Sequence, residues 1–113
     1  MKTIIALIAI STLISCSSIK NGEVSKEIET FGVQGNCGMC KATIEKSLQD
    51  VPGIYWSEWD IDSQEVTVKF DSKKISLDNI QSRIAKVGYD NNSHRANEEV
   101  YNSLPACCKY ERL

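Results

Sequence analysis

A chain of 113 residues, 42% hydrophobic and 25% charged, is sized for one small globular domain with a modest core. Its formal charge of −2 comes without any basic stripe, which argues against a nucleic-acid partner. No internal repeat and no low-complexity tract suggest a solenoid or a disordered chain.

Residues 1–15 read as an export signal. Lys2 supplies a short positive start, and Ile4 to Ile10 an apolar run shorter than the roughly 20 residues that span a bilayer. The ending Leu13-Ile14-Ser15-Cys16 resembles the lipobox of bacterial lipoproteins, which implies that Cys16 becomes the acylated N-terminus. Two or more chains would hold the protein stably on a membrane, since each buried CH₂ contributes about 0.8 kcal/mol. The expected location is therefore the bacterial cell envelope, facing the periplasm or the cell surface. Loss of Lys2 leaves twelve basic residues against fifteen acidic ones, a formal charge of −3. Residues 16–26 are polar, contain Gly22 and lack apolar periodicity, as a flexible tether would.

Beyond the tether, Glu27 to Val33 is the first expected strand, with Phe31 and Val33 on one face. A loop carrying Cys37-Gly38-Met39-Cys40 follows. Lys41 to Gln49 is expected as a helix stopped by Pro52-Gly53. Ile54 to Ile61 is a second strand, with Trp59 and Ile61 on one face and Trp56 on the other. Asp62-Ser63-Gln64 turns the chain into a third strand, Glu65 to Asp71, where Val66, Val68 and Phe70 alternate with Thr67 and Lys69. Ser76 is the expected cap of a second helix with the stripe Leu77, Ile80, Ile84 and Val87, ended by Gly88. A weak last strand near Tyr89 to Ser93 would complete a split βαββαβ plan. The fold class is thus α+β, ferredoxin-like: an antiparallel sheet with two helices on one face.

Two thiols three positions apart at a helix start can close on one soft metal ion or on each other. Soft thiolates select Cu(I), Hg(II), Zn(II) or Cd(II), and a pair suits the low coordination numbers of Cu(I) and Hg(II). The helix start favours the thiolate through its free N–H groups and dipole. Gly38 keeps the loop free of bulk, Lys41 is expected as a solvated helix residue, and Met39 as solvent-facing.

Cys37-x-x-Cys40, Val51-Pro52-Gly53-Ile54 and Val87-Gly88-Tyr89 together resemble heavy-metal-associated domains. That family includes copper chaperones, modules of copper-transporting ATPases and the periplasmic mercury-binding protein. The resemblance covers residues 28–93, within an expected domain of residues 27–93. It implies a metal held by Cys37 and Cys40, with Tyr89 beside them, and a metal-transporting ATPase or efflux component as partner. Gln34-Gly35-Asn36 departs from the family's Gly-Met-Thr or Gly-Met-His before the first cysteine. The last strand also departs, being nearly devoid of apolar residues.

Residues 94–113 form an extension with a helical look over Asn97 to Ser103 and an adjacent pair, Cys107-Cys108. If it folds back, one or both thiols could complete a three- or four-coordinate site. They could alternatively form disulfides with Cys37, Cys40 or another chain, which export permits, or share no role, the metal role being the one favoured. His94 is expected in a solvated loop.

Three classes of function follow. A soft-metal carrier, with Cu(I) favoured over Hg(II), Zn(II) or Cd(II), fits best. A thiol–disulfide protein fits less well, because no proline lies between Pro52 and Pro105, where thioredoxins carry one by the active site. A structural interaction module would not place its cysteines in a Gly-rich loop. No nucleophile–base arrangement points to an enzyme.

Overall fold

A computed structural model describes residues 26–113. The expected export signal, Cys16 and the tether up to residue 25 lie outside the described residues. Lys26, expected to end the tether, instead begins strand β1, Lys26–Gly32. Helix α1 (Gly38–Leu48), strands β2 (Ile54–Asp60) and β3 (Glu65–Asp71), and helix α2 (Leu77–Lys86) follow. A short helix α3 (Glu98–Asn102) and a 3₁₀ turn at Ala106–Cys108 close the chain.

The sheet has the order β1-β3-β2, all antiparallel, so the strand with the cleanest alternation lies in the centre. Val66 pairs with Phe31 on one side and Trp59 on the other, and all three side chains are buried. The opposite face carries polar pairs such as Thr30 and Thr67, whose hydroxyls lie 3.0 Å apart. The β2–β3 register shifts between Ile54 and Trp56, leaving Tyr55 as the extra residue. This shift brings Ser57 opposite Val68 and Trp59 opposite Val66. Asp60 ends β2 because its carboxylate accepts from the Asp62 N–H and the Ser63 hydroxyl. Ile61 therefore lies in the turn and is exposed, rather than sharing the buried face of Trp59.

Helix α1 buries Cys40, Ile44 and Leu48, one stripe at four-residue spacing. Helix α2 is capped by the Ser76 hydroxyl, which accepts from the Asn79 N–H, and buries Ile80 and Ile84. Burial of each of these aliphatic side chains contributes about 1.5–3 kcal/mol. The two helices pack on each other, α1 lies against β2, and their buried faces join one core with the sheet.

The expected last strand is reduced to a single bridge between Val33 and Asn91. Its residues spend their hydrogen bonds locally. The Asn91 side chain accepts from the N–H groups of Ser93 and His94, and the Asn91 backbone N–H donates to the His94 carbonyl. The chain then doubles back, which brings the C-terminal residues over the Cys37 loop.

Candidate metal centre

Cys37 is the N-cap of α1, in an extended conformation, and no side chain caps that helix. The Met39 and Cys40 N–H groups of the first turn face the Cys37 sulfur, the Cys40 N–H while also donating to the Cys37 carbonyl at 3.0 Å. Cys40, at the head of the α1 stripe, is fully buried. The loop before them rests on Trp59. A Cβ on Gly35 would stand 2.9 Å from Trp59 Cζ2 and 3.2 Å from Cys40 Cβ, so only glycine fits there. Trp59 is itself pinned, its indole N–H donating to the Val33 carbonyl at 2.9 Å. Lys41 is more than the solvated residue expected: its ammonium pairs with Glu45 and donates to the Trp59 carbonyl. Glu45 in turn accepts from the Trp59 N–H at 2.9 Å, tying α1 to β2 directly under the loop.

The extension is fastened by residues whose part no sequence pattern signals. The Tyr110 hydroxyl donates to the Gly88 carbonyl at 2.8 Å and accepts from the Asp90 N–H at 2.9 Å. Its ring stacks on Tyr89 and meets Tyr101 edge-on. Arg112 grips both Asp90 oxygens at 2.7 and 2.8 Å and donates to the Ala96 carbonyl. Burial raises the Asp90 carboxyl, but Arg112, the Ala96 N–H and Arg95 outweigh it and hold it below the usual range. Leu104 packs onto Gly88, whose φ of +110° and lack of a Cβ allow that approach.

This fastening carries Cys108 into the site. Its sulfur lies 3.8 Å from that of Cys37, which lies 3.6 Å from that of Cys40, and all three are within 4.8 Å of one another. All four described cysteines are free thiols. A trigonal ion with metal–sulfur bonds of about 2.3 Å sets its sulfurs about 4.0 Å apart, and a linear ion about 4.6 Å apart. The triad suits the trigonal case. Cys107 points outward and is exposed, its sulfur 3.3 Å from that of Met39. His94 is not in the site and is not free in solvent: it is half-buried and meets Asp78 at 2.8 Å.

The three thiols differ in acidity. Cys37 is lowered to about 7, chiefly by the Cys40 backbone N–H, against opposing desolvation and with help from the Cys40 thiol and the Met39 N–H. Cys108 is pushed up to about 12, first by burial, although the Tyr89 hydroxyl works the other way. Cys40 accepts from the Asn36 N–H at 3.5 Å, and its thiol donates to Asn36 Oδ1 at 3.1 Å. Tyr89 sits beside the sulfurs. Burial first, then the Cys40 and Cys108 thiols, push its hydroxyl above the ordinary tyrosine value. That hydroxyl is buried with no hydrogen-bond partner of acceptable geometry, which leaves a spare donor next to two thiols, Cys40 and Cys108, that become anions when they take a cation. A cleft of about 710 Å³, lined partly by Gln34, Asn36, Asp90 and Arg95, borders the loop, but none of the three thiols lines it. The chemistry belongs to the sulfurs.

The family model "Heavy-metal-associated domain" matches residues 30–90, more than half of the chain. A copper chaperone, CopZ, of Staphylococcus aureus is 30% identical over 63 residues, covering 55% of this chain and 93% of the relative. The solved structure of a CopZ metallochaperone superposes with a TM-score of 0.55 at 27% identity, over 57% of this chain and 98% of that one. The water-soluble region of the P-type ATPase CopA from Bacillus subtilis does so at 0.55 and 30% identity, over 58% of this chain and 44% of that one. The family match ends at residue 90, before the extension that delivers Cys108. With its ferredoxin-like fold and its sulfur triad, the chain belongs to the heavy-metal-associated domain family.

Proposed function

We propose that the chain captures a soft metal ion, Cu(I) before Hg(II), Zn(II) or Cd(II), on the sulfurs of Cys37, Cys40 and Cys108 and hands it to a partner. The observation that carries this reading is the mutual approach of three free thiols within 4.8 Å. Three sulfurs with no hard oxygen ligand among them favour a soft ion, and three rather than four favour Cu(I) over a closed zinc site. Capture and release proceed by ligand exchange, an incoming thiolate adding before an old one leaves. The S. aureus relative is a copper chaperone, and a P-type ATPase region is among the structural relatives, so a metal-transporting ATPase or an efflux component is the partner proposed. The lipobox-like Leu13-Ile14-Ser15-Cys16 supports export and anchoring through Cys16 at the cell envelope.

The test is anaerobic competitive titration of the full chain with Cu(I), Zn(II) and Hg(II). The doubly substituted Cys37→Ser/Cys40→Ser chain should lose stoichiometric Cu(I) binding; undiminished binding would overturn the assignment.

A further inference from the structure

We propose that Met39 Sδ and Cys107 Sγ form an exposed outer station through which a soft metal ion enters and leaves the inner triad, a reading that rests on the metal-binding function above. The two sulfurs lie 3.3 Å apart, and Cys107 Sγ lies 3.9 Å from Cys108 Sγ. From there Cys108 reaches Cys37 at 3.8 Å, and Cys37 reaches Cys40 at 3.6 Å. Five sulfurs thus form one path from the surface to the core, with no step longer than 3.9 Å.

The outer two sulfurs are exposed and the inner three are shielded, although not in the order of the path. Met39 is 53% exposed and Cys107 is exposed, Cys37 is intermediate, and Cys108 and Cys40 are 1% and 0% exposed. A bulky donor cannot reach Cys40 or Cys108 directly and finds Cys37 only half-open, whereas the Met39–Cys107 pair lies exposed to it. The pairing is built by two distant segments. Met39 sits in the first turn of α1, and Cys107 in the 3₁₀ turn that starts after Pro105. An exposed methionine facing a free thiol gains no core packing, yet supplies one thioether and one thiolate. That pair accepts Cu(I) and is poor for Zn(II). A neutral thioether also binds more weakly than a thiolate, so an ion placed there moves inward.

The exchange balances without any change of oxidation state. The donor's bonds to Cu(I) break as bonds to Met39 Sδ and Cys107 Sγ form, and the Cys107 proton goes to solvent. The outer bonds then break as Cu(I) gains the sulfurs of Cys108, Cys37 and Cys40. Each inner thiol releases its proton, and the Cys107 thiolate takes one back.

The experiment follows Cu(I) transfer from its coloured bicinchoninate complex to the full chain by stopped flow. Met39→Leu keeps volume and apolarity, and Cys107→Ser keeps size; both positions are exposed, so folding is spared. Each substitution should slow transfer by about tenfold, while X-ray absorption at one equivalent of Cu(I) shows the same sulfur count as the unaltered chain. Unchanged rates in both variants would overturn the outer station. So would a lower sulfur count at one equivalent in either variant, which would make that residue an inner ligand. A total failure of the unaltered chain to take Cu(I) would instead remove the metal-binding reading itself, an outcome distinct from both.

Discussion

Cys37 and Cys108 are 71 positions apart in sequence, and their sulfurs lie 3.8 Å apart. That contact needs the extension latched to the domain, and beside the Tyr110 hydrogen bonds the latch includes the Asp90–Arg112 pair, both side chains about nine-tenths buried. Arg112→Leu leaves the Asp90 carboxylate buried without its main partner. Breaking a buried pair from one side costs about 3–5 kcal/mol. Urea unfolding should register that loss, and the Cu(I)-loaded variant should show two sulfurs where the unaltered chain shows three.

The acidity of Cys37 sets a pH dependence. Its folded thiol ionises at about 7, against an ordinary value of 9.0, so folding favours the thiolate. The metal-free domain should gain stability as pH rises from about 7 towards 9 and lose that gain as pH falls through about 7. Cys108 acts oppositely above pH 9, because burial keeps it protonated up to about 12 in the folded chain. Alkylation followed by peptide mass analysis should modify Cys37 with a midpoint near pH 7 and spare Cys108. Cys37→Ser should flatten the stability rise.

Gly35 tests the floor of the loop. In Gly35→Ala the new methyl meets Trp59 at 2.9 Å and Cys40 at 3.2 Å, and neither neighbour can retreat from the core. Overpacking of this kind costs about 1–3 kcal/mol. Thermal unfolding should detect it, with weaker Cu(I) binding because Cys40 is displaced.

How far the sequence foretold this arrangement depends on the range of each interaction. Helix α2 was legible because Ser76 and the Ile80–Ile84 stripe are local signals, and β3 because Val66, Val68 and Phe70 alternate. The inward turn of Trp59 was only partly legible. The register shift around Tyr55 resets the β2 alternation, and Ile61, expected beside Trp59, falls in the turn. The last strand failed where Asn91 turned its side chain on its own backbone. At the site, the Cys37–Cys40 spacing was readable because a helix start brings the pair together without help. The placement of Cys108 inward and Cys107 outward was not. It depends on Tyr110 bonding to Gly88 and Asp90, 22 and 20 positions away, and no periodicity signals such contacts.

Tyr89 separates electrostatics from packing. Tyr89→Phe retains the stacked ring and removes a hydroxyl that has no well-formed hydrogen bond, so stability should change by less than about 1 kcal/mol. The same hydroxyl favours the Cys108 thiolate, and its loss lets protons compete harder for that sulfur. Cu(I) affinity at pH 7 should fall by up to about tenfold, with a steeper dependence on pH. Competitive titration at several pH values would show both effects.

X-ray absorption of the full chain loaded with one equivalent of Cu(I) tests the three-sulfur centre most directly. Three sulfurs at about 2.3 Å are expected, falling to two in Cys108→Ser. Two sulfurs in the unaltered chain, unchanged in Cys108→Ser, would contradict it.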